Sequence, residues 1–168
     1  MSPFRLLRRW FSDPHFTRKK QFLRSLELFN DLKGGELGQL AHALHARTYR
    51  AGEIVFVEGD IGRALFILES GKVDLTRRGR DGRPVLLHTL KPGEFFGEMA
   101  LLESLPRSAT ATAIEPSRLH LLYRTKLDSI LVSEPRIGVS IMTHFARLLS
   151  ARLRRATTDL AAAPAPNA

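Results

Sequence analysis

Glu98 and Arg107 are the residues of this 168-residue chain whose types and spacing best suit holding a small ligand. They lie in the stretch from Pro92 to Ala113, where Gly93 and Gly97 bracket Phe95 and Phe96. Gly97 opens backbone angles closed to other residues and lets a ligand come close to the chain. The run from Glu98 to Glu103 is long enough for about one and a half helical turns. Its first N–H groups lack intrahelical partners and can receive an anion. Arg107 can fork onto a phosphate. The segment thus offers free N–H donors, an acceptor carboxylate and a guanidinium, a set suited to a ligand with hydroxyls and a phosphate. The same residues also read as a strand–turn–strand connection, with Glu98 an ordinary N-terminal helix charge and Arg107 solvated.

The elements that must position this segment follow from pattern. From Arg47 to Arg124, turn signals recur about every eight to twelve residues: Ala51-Gly52, Gly59-Asp60, Ser70-Gly71, Asp81-Gly82 and Pro92-Gly93. That interval points to a sandwich or barrel. The expected strands are Ala46–Tyr49, Glu53–Val57, Ala64–Glu69, Lys72–Arg77, Pro84–Leu90, Thr110–Ile114 and Arg118–Tyr123. Helical patterns flank them at 16–33, which Gly34-Gly35 should end, at 36–45, at 126–132, and from Pro135 to about Thr157. Ile137, Ile141, Phe145, Leu148, Leu149 and Leu153 make one apolar stripe on the last helix. The expected organisation is a basic segment at 1–15, a domain at 16–157 and a disordered tail at 158–168. Within the domain, helices span 16–45 and 125–157, with the β region at 46–124.

The formal net charge of +9 divides unevenly. Residues 1–24 hold seven Lys/Arg against Asp13, and residues 135–155 hold five Arg and no acid. Residues 25–134 are close to neutral, which argues against a nucleic-acid-binding face on the central domain. Any DNA affinity is expected from the basic ends, without sequence specificity and falling steeply with salt. There is no cysteine, so disulfides and thiolate metal sites are excluded. No signal peptide or membrane span is legible. Phe4, Leu7, Trp10 and Phe11, with arginines between them, read as a short amphipathic helix that packs on its own domain or meets a membrane surface. His42 and His45 lack further ligands and read as structural. His88 and His120, the histidines of the strand region, lack the close pairing a cupin-type metal site needs. Neither a metal nor an enzyme activity is expected.

Phe96-Gly97-Glu98-Met99-Ala100-Leu101 followed by Pro106-Arg107-Ser108-Ala109-Thr110 closely resembles the phosphate-binding cassette of cyclic-nucleotide-binding domains. Such domains occur in catabolite activator proteins, protein kinase A regulatory subunits and cyclic-nucleotide-gated channels. Ala51-Gly52-Glu53, Glu58-Gly59-Asp60 and Ser70-Gly71-Lys72-Val73 resemble the family's glycine positions in order, so the likeness spans about 22–155. It implies a mainly β fold, an eight-stranded jelly roll with helices at both ends. It implies that Glu98 accepts from a ribose 2′-hydroxyl and Arg107 pairs with the cyclic phosphate. Gly97 and the N–H groups of Met99, Ala100 and Ala109 would line the pocket. Ser108 leans towards cAMP over cGMP, and Leu75 and Leu87 would pack on the base. Arg152, Leu153 and Arg155 are expected on a lid that reaches the base. The long helix here leads into no helix-turn-helix, so no sequence-specific DNA binding is expected. The expected role is a cytoplasmic cAMP sensor acting through a protein partner or as a homodimer. The alternative is a scaffold domain of the same fold with a weak or empty pocket.

Overall fold

A computed structural model of the chain describes residues 13–103 and 105–162. The segment carrying Phe4, Leu7, Trp10 and Phe11 and the residues beyond 162 lie outside these. Helix α1 spans Pro14–Ser25 and starts where sequence chemistry places it. The Asp13 carboxylate accepts from the His15 N–H at 2.9 Å, and Pro14 occupies the first turn. The expected helix over 16–33 is shorter, because Leu26 turns extended and a 3-10 turn follows at Glu27–Phe29. Gly34 and Gly35 do not end that helix. They open α2, Gly34–Ala43, where the Glu36 carboxylate reaches back to the Lys33 N–H at 2.7 Å and satisfies a free donor.

Eight strands follow: β1 His45–Tyr49, β2 Ile54–Phe56, β3 Ala64–Ser70, β4 Val73–Arg78, β5 Pro84–Leu90, β6 Phe95–Phe96, β7 Thr110–Ala113 and β8 Ser117–Tyr123. They form two antiparallel four-stranded sheets, ordered β1-β8-β3-β6 and β2-β7-β4-β5. The fold is the mainly β jelly roll with helices at both ends. β6 has no counterpart among the expected strands. It joins the sheet by pairing Phe96 with Phe66 and Phe95 with Ile67. A short helix α3, Glu98–Glu103, leaves β6 after Gly97. Helices α4, Arg124–Ser133, and α5, Pro135–Ala162, close the chain, so α5 runs past the expected stop near Thr157.

β3 shows how the two cores form. Phe66 and Leu68 point between the sheets, while Leu65 and Ile67 point to the helices, so both faces of one strand are buried. Ala111 and Ala113 of β7 are fully buried against the inner core, and larger side chains there would overpack it. Ile137, Ile141 and Phe145 of α5 bury in the outer core with Leu23, Phe29 and Leu37. Truncating Phe145 to Ala would cost about 3–5 kcal/mol. Gly71 makes the tight β3–β4 turn at φ +95°, where a Cβ would lie 2.2 Å from Ser117 Oγ. No described helix is long and apolar enough to cross a membrane.

Candidate functional site

The β6–α3 junction and the chain entering β7 converge on one small cavity. It is lined by Phe56, Leu75, Phe96, Gly97, Glu98, Met99, Arg107, Ser108, Ala109 and Arg152. Seven of the ten belong to the cassette stretch, because α3 folds back and carries Glu98 towards Arg107. Glu98 is 1% exposed and Arg107 6% exposed, although each is charged. Burying either costs heavily unless its donors or acceptors are met.

Arg107 is met from several sides. Its Nη1 donates to the Gly97 carbonyl at 2.9 Å and its Nη2 to the Ala64 carbonyl at 2.8 Å. The Phe56 ring lies 4.2 Å from the guanidinium carbon and the Phe66 ring 5.4 Å. These contacts fix the plane of the fork and leave further N–H donors beside the cavity. Burial draws the guanidinium below its ordinary pKa, and the Glu98 and Asp60 carboxylates push back. Gly97 holds φ +79°, and a Cβ there would lie 2.5 Å from Arg107 Nη1. The glycine therefore serves both the backbone turn and the close approach of the arginine.

Glu98 is met by a residue from the far end of the chain. Arg152 Nη1 donates to Glu98 Oε1, while Arg152 Nη2 donates to the Phe95 carbonyl at 3.1 Å. One guanidinium thus clamps α5 onto the β6–α3 junction. Arg152, expected to reach the base, is placed at the Glu98 carboxylate. Leu153 and Arg155 are exposed and outside the cavity lining. Ser108 is exposed at the rim, 3.9 Å from Met99 Sδ. Leu75 lines the wall, but Leu87 stands at an irregularity in the β4–β5 register, is 54% exposed and does not line the cavity. Ala109 is buried beside Arg107, and Ala100 lies in the first turn of α3.

The cavity measures ≈ 50 Å³, well below the roughly 300–1,000 Å³ typical of small-molecule sites. Arg152 is one of the groups that line it. Sequence reading did not find the aromatic floor of Phe56 and Phe96. Their place on facing strands, with Phe66 between, was the missing information. His88 and His120 are far apart in role. The first lies 3.3 Å from Glu94 at the surface and the second 2.7 Å from Glu69 in the interior.

A model of the cyclic nucleotide-binding domain matches residues 46–134. The chain is 36% identical to the cyclic AMP receptor protein of Thermus thermophilus over 138 residues, 82% of this chain and 62% of that protein. It is 41% identical over 92 residues to a cAMP-dependent protein kinase regulatory subunit of Yarrowia lipolytica, covering 55% of this chain and 24% of that one. It therefore spans less than two thirds of each of these relatives. Among solved structures, the N-terminal domain of a transcriptional regulator from Streptomyces coelicolor is 32% identical with a TM-score of 0.69, covering 78% of this chain and 94% of that chain. From the cavity, the fold and these likenesses together, this chain belongs to the cyclic nucleotide-binding domain family.

Proposed function

We propose that this chain is a cytoplasmic cAMP-binding regulatory module that acts through a protein partner or through its own association. The observation that carries the reading is the buried pair Glu98 and Arg107 on one cavity, with the Gly97 carbonyl accepting from Arg107. In this reading the cyclic phosphate takes the spare Arg107 donors and the N–H groups of Met99, Ala100 and Ala109. The ribose 2′-hydroxyl donates to Glu98, and Leu75 flanks the base. The Thermus relative is a cyclic AMP receptor protein and the Yarrowia relative a cAMP-dependent kinase regulatory subunit, while cGMP-dependent protein kinases match as well, so the choice of cAMP over cGMP rests on Ser108.

The route to an output is α5. Val139, Met142, Ala146, Leu149, Leu153 and Ala156 recur at spacings of three and four along it, and all but half-buried Leu149 are exposed. A stripe of that period suits a two-stranded helical seam with a second copy. Sedimentation should then show a dimer that Met142→Glu or Leu153→Glu dissociates.

The small volume of the cavity favours a second reading, a scaffold domain whose pocket stays closed. Titration calorimetry with cAMP, cGMP and cyclic-di-GMP separates the two. A micromolar or tighter Kd for cAMP, about −8 kcal/mol or better, supports the sensor. No heat with either cyclic mononucleotide at millimolar ligand supports the scaffold.

A further inference from the structure

We infer that Arg152 sets the affinity and sugar selectivity of this site by competing with the ligand for Glu98. The inference rests on reading the cavity as a nucleotide site. Glu98 is 1% exposed, so its carboxylate cannot be satisfied by water and must always hold a donor. The donor it holds is Arg152, whose side chain is 38% exposed and can turn into solvent. The two partners are therefore unequal: the arginine can leave at little cost, while the carboxylate must receive a replacement. A ribose 2′-hydroxyl is such a replacement. Arg152 also helps line the cavity, so a ribose 2′-hydroxyl and the clamped guanidinium compete for the same carboxylate edge, while a ligand without that hydroxyl can leave the clamp in place.

Two consequences follow. Binding of a ribonucleotide is taxed by the broken Glu98–Arg152 contact, and removing the arginine lifts the tax. A ligand without the 2′-hydroxyl has nothing to offer Glu98, so it gains nothing by displacing Arg152. The sugar edge thereby becomes the part of the ligand that moves α5. The Arg152 to Phe95 carbonyl bond breaks in the same step, since one guanidinium makes both contacts.

The test uses the full chain, wild type and Arg152→Ala, titrated with cAMP and with 2′-deoxy-cAMP. The expected result is a gain of about tenfold in cAMP affinity for Arg152→Ala, within the usual range of coupling between sites. The preference for cAMP over 2′-deoxy-cAMP should widen by a similar factor. Hydrogen exchange in wild type should change across 148–156 with cAMP and stay unchanged with 2′-deoxy-cAMP. Arg152→Lys keeps a charge but loses the fork, and should fall between the two proteins. It carries the test alone if circular dichroism shows Arg152→Ala unfolded. Equal or weaker cAMP binding by the variants, with the sugar preference unchanged, overturns the inference and leaves the nucleotide reading standing. Binding by a variant but not by wild type supports it. No binding by any of the proteins overturns the nucleotide reading and this inference together.

Discussion

Glu69 on β3 and Glu98 on α3 are both buried carboxylates held by arginine, and they differ in how completely they are held. Glu69 Oε1 accepts from Arg18 Nε at 2.8 Å. Its Oε2 accepts from Arg118 Nε at 2.8 Å and from His120 Nε2 at 2.7 Å. Those donors come from α1 and β8, so Glu69 ties the first helix to the β1-β8-β3-β6 sheet. No ligand could improve on that set. Glu98 accepts from Arg152, a half-exposed side chain on the last helix, and it faces a cavity shared with Arg107. The same two residue types make a strut in one place and an exchangeable socket in the other. Saturation of the carboxylate, not its burial, tells them apart.

The largest effect expected from breaking this comparison is at Arg107. Arg107→Ala should cost about 2–5 kcal/mol in cAMP affinity, because a desolvated phosphate loses its strongest partner. Glu98→Ala should cost less, since the hydroxyl it meets is neutral. Calorimetry checks both, and equal losses would contradict the assignment of phosphate and ribose.

Next comes Glu69→Gln, which should destabilise the fold by about 2–3 kcal/mol, because Arg118 and His120 lose a buried acceptor. Urea denaturation reads the loss. The cAMP affinity of the folded variant should stay within about twofold of wild type, since the strut lies outside the cavity. A large affinity loss with an unchanged midpoint would reverse the roles given to the two glutamates.

The smallest effect is on pH. Desolvation lowers the His120 pKa below its ordinary 6.5, outweighing the hydrogen bond and charge of Glu69. A neutral ring donating from Nε2 also accounts for Nδ1, which is buried without a hydrogen-bond partner among the described residues. Desolvation pushes Glu69 up, but the hydrogen bonds from His120 and Arg18, with the charges of His120 and Arg118, lower it overall. Desolvation lowers His144 as well. For each group the unfolded chain binds more protons just below the ordinary pKa, so stability falls as pH falls. The histidine part is lost below about 6.5 and the Glu69 part below about 4.5. The melting temperature should therefore drop from pH 7 to pH 5, and a flat or rising profile would contradict neutral His120.

What the sequence disclosed follows from how local each signal is. Glu98, Arg107 and Gly97 lie within eleven residues and form an ordered motif, so their types and order could be read directly. Seven strands announced themselves by turns and apolar runs. β6 did not, because two residues, Phe95 and Phe96, carry no alternation. Gly34-Gly35 read as a stop, yet Leu26 had already broken the helix and Glu36 capped the next one. The contact of Arg152 with Glu98 spans 54 positions, and nothing in either neighbourhood encodes it. Glu69 gave no signal either, since its donors Arg18, Arg118 and His120 come together only when α1 docks on the sheet.

Amide chemical-shift mapping during a cAMP titration tests the central claim most directly, because it reads both glutamate sites at once. The account predicts saturable shifts at Gly97, Glu98, Met99, Arg107, Ser108 and Ala109, with a second group around Arg152. Amides of Glu69, Arg118 and His120 should stay in place. Absence of any shift at millimolar cAMP, or shifts centred on Glu69 and His120 with the cassette silent, would contradict it.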